Sequence, residues 1–301
     1  MGRLTAIVLG SAAGGGFPQW NCRCPVCQLA WSGDPRARPR TQASLAVSAN
    51  GEDWVLINAS PDLPEQLRRS PALHPRGRPR GSPIKAIVLT GAEIDQVAGL
   101  LSLREREPFM LCATAPTMAL IDQNSMFEVL ARDQVERRIV ASGVSCSLPG
   151  GLTAELFAVP GKVPLYLEGE NPDTLSEDNG IAGLELRADG ARLVFIPGAA
   201  TVTASMLDRM ACADAVLFDG TLFRDDEMIT SCTGSKTGRR MGHMSIDGED
   251  GSLATLAKLS ARRIYIHINN TNPILVEGSP ERARVTSQGW EVAEDGQEIV
   301  L

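Results

Sequence analysis

The 301 residues are 43% hydrophobic and 22% charged, which is enough apolar material for one large core or two modest ones and unlike the composition of a disordered chain. A formal charge of -7 excludes a general nucleic-acid binder, because phosphate recognition needs a local excess of Lys and Arg, and the richest basic stretch, residues 76–80, is short and interleaved with Gly and Pro like a solvated loop. No apolar run is long enough to cross a bilayer and the N-terminus lacks the pattern of a secretory signal, so the expected compartment is the cytoplasm, where the seven cysteines serve metal binding or burial rather than disulfides.

The first apolar run, residues 5–9, reads as a buried strand, and the glycine-rich turn after it leads into Cys22-Arg23-Cys24-Pro25-Val26-Cys27. A Cys-x-Cys-x-x-Cys spacing delivers three thiolates to one point and reads as a zinc site whose fourth ligand comes from elsewhere. Ordinary buried cysteines or a redox pair are the competing reading. Residues 14–16 suggest a phosphate loop only superficially, since no Gly-Lys-Ser/Thr follows; turn geometry explains the glycines better. Further strands are expected at 44–48, 54–58, 85–90, 109–113, 153–159, 181–187, 193–197, 215–219 and 263–268, and helices at 115–130, 203–210, 252–259 and 280–288. No long linker divides them, so the chain reads as a single α/β domain over 1–301 with a Cys-rich zinc-binding loop at about residues 20–30. Cys112, Cys146, Cys212 and Cys232 are scattered and read as structural.

Several strands end in a polar residue followed by glycine or a turn, which places chemistry at carboxyl ends of strands, where open α/β sheets keep their sites. Asp219 ends an apolar strand before Gly220, where a carboxylate is costly unless paired, hydrogen-bonded or metal-bound. Asp95 begins a helix after a strand and reads as a cap, a metal ligand or both. His267 closes a strand before the polar run 269–272 and reads as a ligand or as a satisfied core histidine. The other two histidines are His243, after Gly242, and His74, in a Pro/Arg-rich loop with no expected role.

The run Ile84-Lys85-Ala86-Ile87-Val88-Leu89-Thr90 followed by Gly91-Ala92-Glu93-Ile94-Asp95-Gln96-Val97-Ala98-Gly99-Leu100 resembles the strand, turn and helix of the main metal motif of the metallo-β-lactamase superfamily, usually Thr-His-x-His-x-Asp-His. Here Gly91, Glu93 and Gln96 occupy the histidine slots and Asp95 keeps the aspartate. Together with the block at 10–22, Asn58-Ala59-Ser60-Pro61-Asp62, Phe218-Asp219-Gly220-Thr221, Met241-Gly242-His243 and the block at 267–273, the chain resembles, over essentially its whole length, the B-protein family of pyrroloquinoline quinone synthesis. The resemblance implies a four-layer αββα sandwich with a site where strand ends converge. It also implies a role in making the quinone from a ribosomal peptide that donates one Glu and one Tyr. Two activities are described for the family: an iron-dependent hydroxylase of the tyrosine-derived ring, and a carrier of the quinone or its precursor to the periplasm.

A dinuclear zinc hydrolase of this superfamily uses about five histidines and two aspartates, which three histidines cannot supply. What remains is an oxygen-rich mononuclear site of Asp95, Asp219, His267 and Glu93, which suits iron(II) or manganese(II) and leaves positions open for dioxygen and a phenol. Gln96, whose amide is a poor iron ligand, is expected at the substrate with His243 and Lys162. His243 resembles a substrate-contacting histidine of related phosphodiesterases, with a surface-loop histidine as the alternative. Lys162 stands where the superfamily often places a metal histidine and suits an acidic substrate instead. For the structural zinc, the resemblance points to Asn270 as the partner of Cys22, Cys24 and Cys27, with His267 or a water as alternatives. The expected partner is a Glu-Tyr-derived small molecule or short peptide, or the quinone itself. No nucleic acid and no membrane insertion are expected, and a homodimer is left open.

Overall fold

The computed structural model describes residues 3–77, 79–177 and 180–301; residue 78 of the basic stretch 76–80 lies outside them. One sheet contains β1 (Thr5–Gly10), β2 (Ser44–Ser48), β3 (Trp54–Ile57), β4 (Ile84–Val88), β5 (Phe109–Ala113), β6 (Val135–Ile139) and β14 (Glu298–Val300), in the order β14-β1-β2-β3-β4-β5-β6. The other contains β7 (Ser145–Ser147), β8 (Thr153–Ala158), β9 (Ala182–Ala188), β10 (Ala191–Ile196), β11 (Ala215–Asp219), β12 (Arg262–Ile266) and β13 (Trp290–Val292), in the order β13-β12-β11-β10-β9-β8-β7. Both sheets are mixed: β3 to β6 run parallel, as do β10 to β13, and the remaining pairs are antiparallel.

The strands beside the site are apolar along their length because they are covered on both faces. Between the sheets lie Leu45, Ile57, Val88, Leu184, Phe195, Leu217 and Ile266. The outer face of the first sheet is closed by α2 (Leu63–Arg69), α3 (Ile94–Val97) and α4 (Ala115–Gln123), which bury Leu63, Val97, Met118 and Ile121 against Leu56, Ile87 and Leu111. The outer face of the second meets α5 (Ala204–Ala211) and α9 (Pro280–Ser287) through Met206, Met210 and Val285, and α1 (Pro25–Trp31) joins the same apolar cluster through Val26, Cys27 and Ala30. Three one-turn helices, α6 (Glu227–Thr230), α7 (Gly238–Met241) and α8 (Ser252–Thr255), lie in the connections after β11. The layers are therefore helix, sheet, sheet, helix, as expected. No helix among the described residues is long and apolar enough to cross a membrane.

Several expected boundaries shift for local reasons. The helix expected over 115–130 stops at Gln123, because the Asn124 side chain accepts from the Met126 N–H and starts a separate 3-10 turn. The helix expected over 252–259 is a single turn ending at Thr255. Helix α1 was not foreseen; it begins at Pro25, with the Cys24 sulfur accepting from the Cys27 N–H as its cap.

The register sets the site. Strands β10, β11 and β12 run parallel with Ile196 beside Phe218 and Asp219 beside Ile266, so their carboxyl ends reach one edge together. The loop after β1 crosses to this edge: Ala12 forms bridges to both Gln42 and Ile268, and the Ala13 N–H donates to the Ile268 carbonyl at 2.9 Å. That crossing joins the sheets where the turn after β4 delivers Asp95.

Candidate metal centres and the cavity between the sheets

Cys22, Cys24 and Cys27 offer sulfurs within 4.8 Å of one another. The turn that gathers them is held by its own sulfurs, which accept from the Cys24 and Cys27 backbone N–H groups at 3.4 Å. Asn270 arrives from the segment after β12 and places its side-chain amide 3.1 Å from Cys22 Sγ and 3.3 Å from Cys27 Sγ. Rotating that amide by half a turn exchanges its nitrogen for its oxygen, so the cluster offers three sulfurs and one oxygen around one point, a set that fits zinc. His267 is not near this group; it pairs with Asp95. The Cys27 thiol is lowered to about 6, foremost by its hydrogen bond with Cys24, against burial and with help from the Asn270 amide. The Cys24 thiol is pushed up by the same contact and by burial.

Across the same edge lies a group of carboxylates and imidazoles. His267 Nε2 is 3.0 Å from Asp95 Oδ2, and His243 Nδ1 is 2.7 Å from Asp219 Oδ2. Thr221 joins the two pairs: its hydroxyl donates to Asp219 Oδ1 at 2.6 Å and lies 2.8 Å from His267 Nδ1. The imidazole rings stack at 5.4 Å between centroids. Asp219 is fully buried and also accepts from the Ala199 and Thr221 N–H groups, so the buried carboxylate anticipated at the end of β11 is fully hydrogen-bonded. His267 holds a left-handed backbone at φ 57°, which turns its side chain off the β12 axis toward the other sheet's Asp95. Burial by itself would raise both carboxyls, but His267 beside Asp95, and His243 and then His267 beside Asp219, hold them below the ordinary range. The imidazole of His267 shifts up: burial opposes its charge, and Asp95 followed by Asp219 outweighs that.

The remaining expected residues are arranged differently. Glu93 is not brought into the carboxylate–imidazole group: its carboxylate accepts from Lys162 Nζ at 3.2 Å and from the Leu165 N–H at 3.1 Å, and it caps α3. Gln96 completes that capping box, its Oε1 accepting from the Glu93 N–H at 3.2 Å. Gly91 leaves room for this, since a Cβ there would sit 2.5 Å from Gln96 Oε1. Asp95, Gln96, Lys162, His243 and His267 line one cavity of about 440 Å³ with Glu93, Gln42, Lys236 and Asn269. His74 is exposed and bound to the Arg68 carbonyl. Thr221 was missed by sequence reasoning although it stands in a quoted block; the signal was an Asp-Gly-Thr turn directly after a buried strand.

This fold, with donors at its converging strand ends, is that of a β-lactamase superfamily domain, and the family model of that description matches residues 53–268. "Coenzyme PQQ synthesis protein B" of Methylorubrum extorquens is 52% identical over 296 residues, covering 98% of this chain and 99% of that protein. The protein of the same name from Ruegeria pomeroyi is 53% identical over 295 residues, covering 98% of this chain and 99% of its own. The crystal structure of Zn(2+)-bound PqqB from Methylobacterium extorquens matches with a TM-score of 0.97 at 51% identity, over 99% of this chain and 100% of that one. The chain belongs to the coenzyme PQQ synthesis protein B family.

Proposed function

We propose that the chain acts in pyrroloquinoline quinone synthesis as an iron-dependent hydroxylase of the tyrosine ring of a Glu-Tyr-derived precursor. The pathway follows from the family. The reading of the reaction rests on one observation: Asp95 and His267, from opposite sheets, meet at 3.0 Å beside buried Asp219, in a cavity large enough for a dipeptide-sized ligand. Asp219, His243 and His267 offer ligand atoms within 4.8 Å of one another, and with Asp95 beside His267 they form a hard, nitrogen-and-oxygen donor set that fits iron(II). Bound iron(II) supplies the one-electron chemistry by which dioxygen reacts with a phenol ring. Asp95, Asp219 and His267 would hold it. Thr221, fixed by Asp219, keeps His267 Nδ1 occupied and leaves Nε2 as the atom that faces Asp95. His243, tied through Nδ1 to Asp219, has its other ring nitrogen left to hold a substrate hydrogen bond or a proton. Zinc at Cys22, Cys24, Cys27 and Asn270 is structural in this reading, and zinc is present in the crystal structure of the similar PqqB.

Protein purified without oxygen, loaded with iron(II) and given a tyrosine-containing precursor under air with a two-electron reductant such as ascorbate is expected to add one atom of dioxygen to the ring, the other leaving as water, read by mass spectrometry. Iron retention is expected to fall to background when Asp95 and Asp219 are both replaced by Ala. Unchanged retention in that double variant would overturn the site. One observation favours the carrier reading: Gln96, in a metal-histidine slot, has its amide committed to capping. Tight binding of the quinone without turnover would select that reading.

A further inference from the structure

The cavity carries a charge arrangement that the hydroxylase reading does not use. Lys162 Nζ donates to Glu93 Oε1 at 3.2 Å and to the Val163 carbonyl at 3.4 Å, lies 3.2 Å from Glu168 Oε2 as an ion pair, and belongs to a side chain only 10% exposed. Glu168, whose side chain is 4% exposed, also receives Lys236 at 2.8 Å and a close Arg240 guanidinium. Arg240 directs the rest of its fork to the Gly169 and Glu170 carbonyls. In this cluster three cations, Lys162, Lys236 and Arg240, share two carboxylates, Glu93 and Glu168, an excess of one positive charge; Asp95, the other carboxylate lining the cavity, pairs with His267 instead. Lys236 is where that excess is available. Among the described residues it has Glu168 as its one acceptor, its side chain is 39% exposed, and it lines the cavity shared by Asp95, His243 and His267.

We infer that Lys236 is the specificity residue of this cavity, receiving a carboxylate of the substrate, and that Glu168 positions it. Lys162, expected at the substrate from sequence, lines the same cavity and also ties the segment after β8 to the cap of α3. This rests on the reading that the cavity takes a Glu-Tyr-derived precursor. A hydrophobic pocket wall would not distinguish an acid from its amide, whereas an ammonium with open donors does.

The test uses the full chain and two probes, the dipeptide Glu-Tyr and the same dipeptide with both carboxylic acids converted to amides, with affinities measured by calorimetry. Wild type is expected to prefer the acid. Lys236→Met is expected to weaken binding of the acid by about tenfold or more, leave the amide unchanged, and abolish the salt dependence of the preference. Lys236→Arg should restore most of it. With turnover measured, the loss should fall on KM and spare kcat. If wild type prefers the acid and Lys236→Met keeps that preference, Lys236 is not the receiving residue. If wild type binds neither probe, the precursor reading itself fails, and the inference falls with it.

Discussion

Asp219, Thr221 and His267 show how one side chain's position depends on several chain segments. Asp219 stands at the end of β11, Thr221 two residues later at the turn, and His267 at the end of the adjacent parallel strand, so a register slip of one residue would separate them. The carboxylate could be anticipated from the conflict between its charge and its apolar strand. Thr221 could not, because a threonine in a turn carries no such conflict. The cysteine cluster was legible for the opposite reason: its geometry is set within six residues. Its partner Asn270 lies far away in sequence, and only the resemblance pointed to it. The cluster also gives the most direct prediction at this scale. Cys24→Ser is expected to lower bound zinc well below one per chain and the Tm by about 10 °C, since a structural zinc contributes to folding. Elemental analysis and calorimetry check it, and full zinc content with unchanged melting would show that Cys24 is an ordinary buried thiol.

At the scale of elements, the strands that pack on both faces were legible because burial makes them continuous apolar runs. The edge and terminal strands were not. β6 reads Val-Glu-Arg-Arg-Ile, with its charged residues at a sheet edge, and β7, β13 and β14 are three residues each, too short for a periodic signal. The helix α3 and the 3-10 turn after it, residues 98–103, are positioned by backbone contacts as well as by the buried Val97 and Leu100. The Ala59 N–H donates to the Gln96 carbonyl at 2.7 Å, and the Gly99 N–H donates to the Ala59 carbonyl at 2.8 Å. A Cβ at Gly99 would lie 2.1 Å from the Ser60 carbonyl oxygen. Gly99→Ala must therefore push the metal-motif helix off the loop after β3, with an expected loss of about 3 kcal/mol. Urea unfolding measures it. A change below about 0.5 kcal/mol would show that the helix shifts freely, and that Asp95 is not held by this packing.

For the whole molecule, the segment after β12 connects everything the sheets bring together. His267 reaches Asp95, Asn269 lines the cavity, Asn270 meets the cysteines, and Asn272 donates to the Gly220 carbonyl at 2.8 Å. The remaining contact is Thr271, whose hydroxyl donates at 2.6 Å to Glu227, a buried carboxyl that also accepts from the Phe223 N–H at 2.7 Å. Burial foremost raises the Glu227 carboxyl to about 7, with Glu281 adding to the rise and the Thr271, Phe223 and Arg224 donors opposing it. A carboxyl raised on folding binds its proton more tightly in the folded chain, so its stabilising contribution is complete below the unfolded value of 4.5 and is lost as pH rises through about 7. The loss is on the order of 3 kcal/mol across that window. Glu227→Gln keeps a group able to hydrogen-bond to both Thr271 and the Phe223 N–H and removes the titration. Relative to wild type, this variant is expected to gain about 2 kcal/mol in urea-unfolding stability between about pH 5 and about pH 8. Both proteins carry the same cysteine cluster and the same histidines, so the difference between them cancels the pH dependence of metal binding. A constant difference across that range would mean that Glu227 is ionised throughout, and that the segment serving both centres is held by a charge rather than by a shared proton.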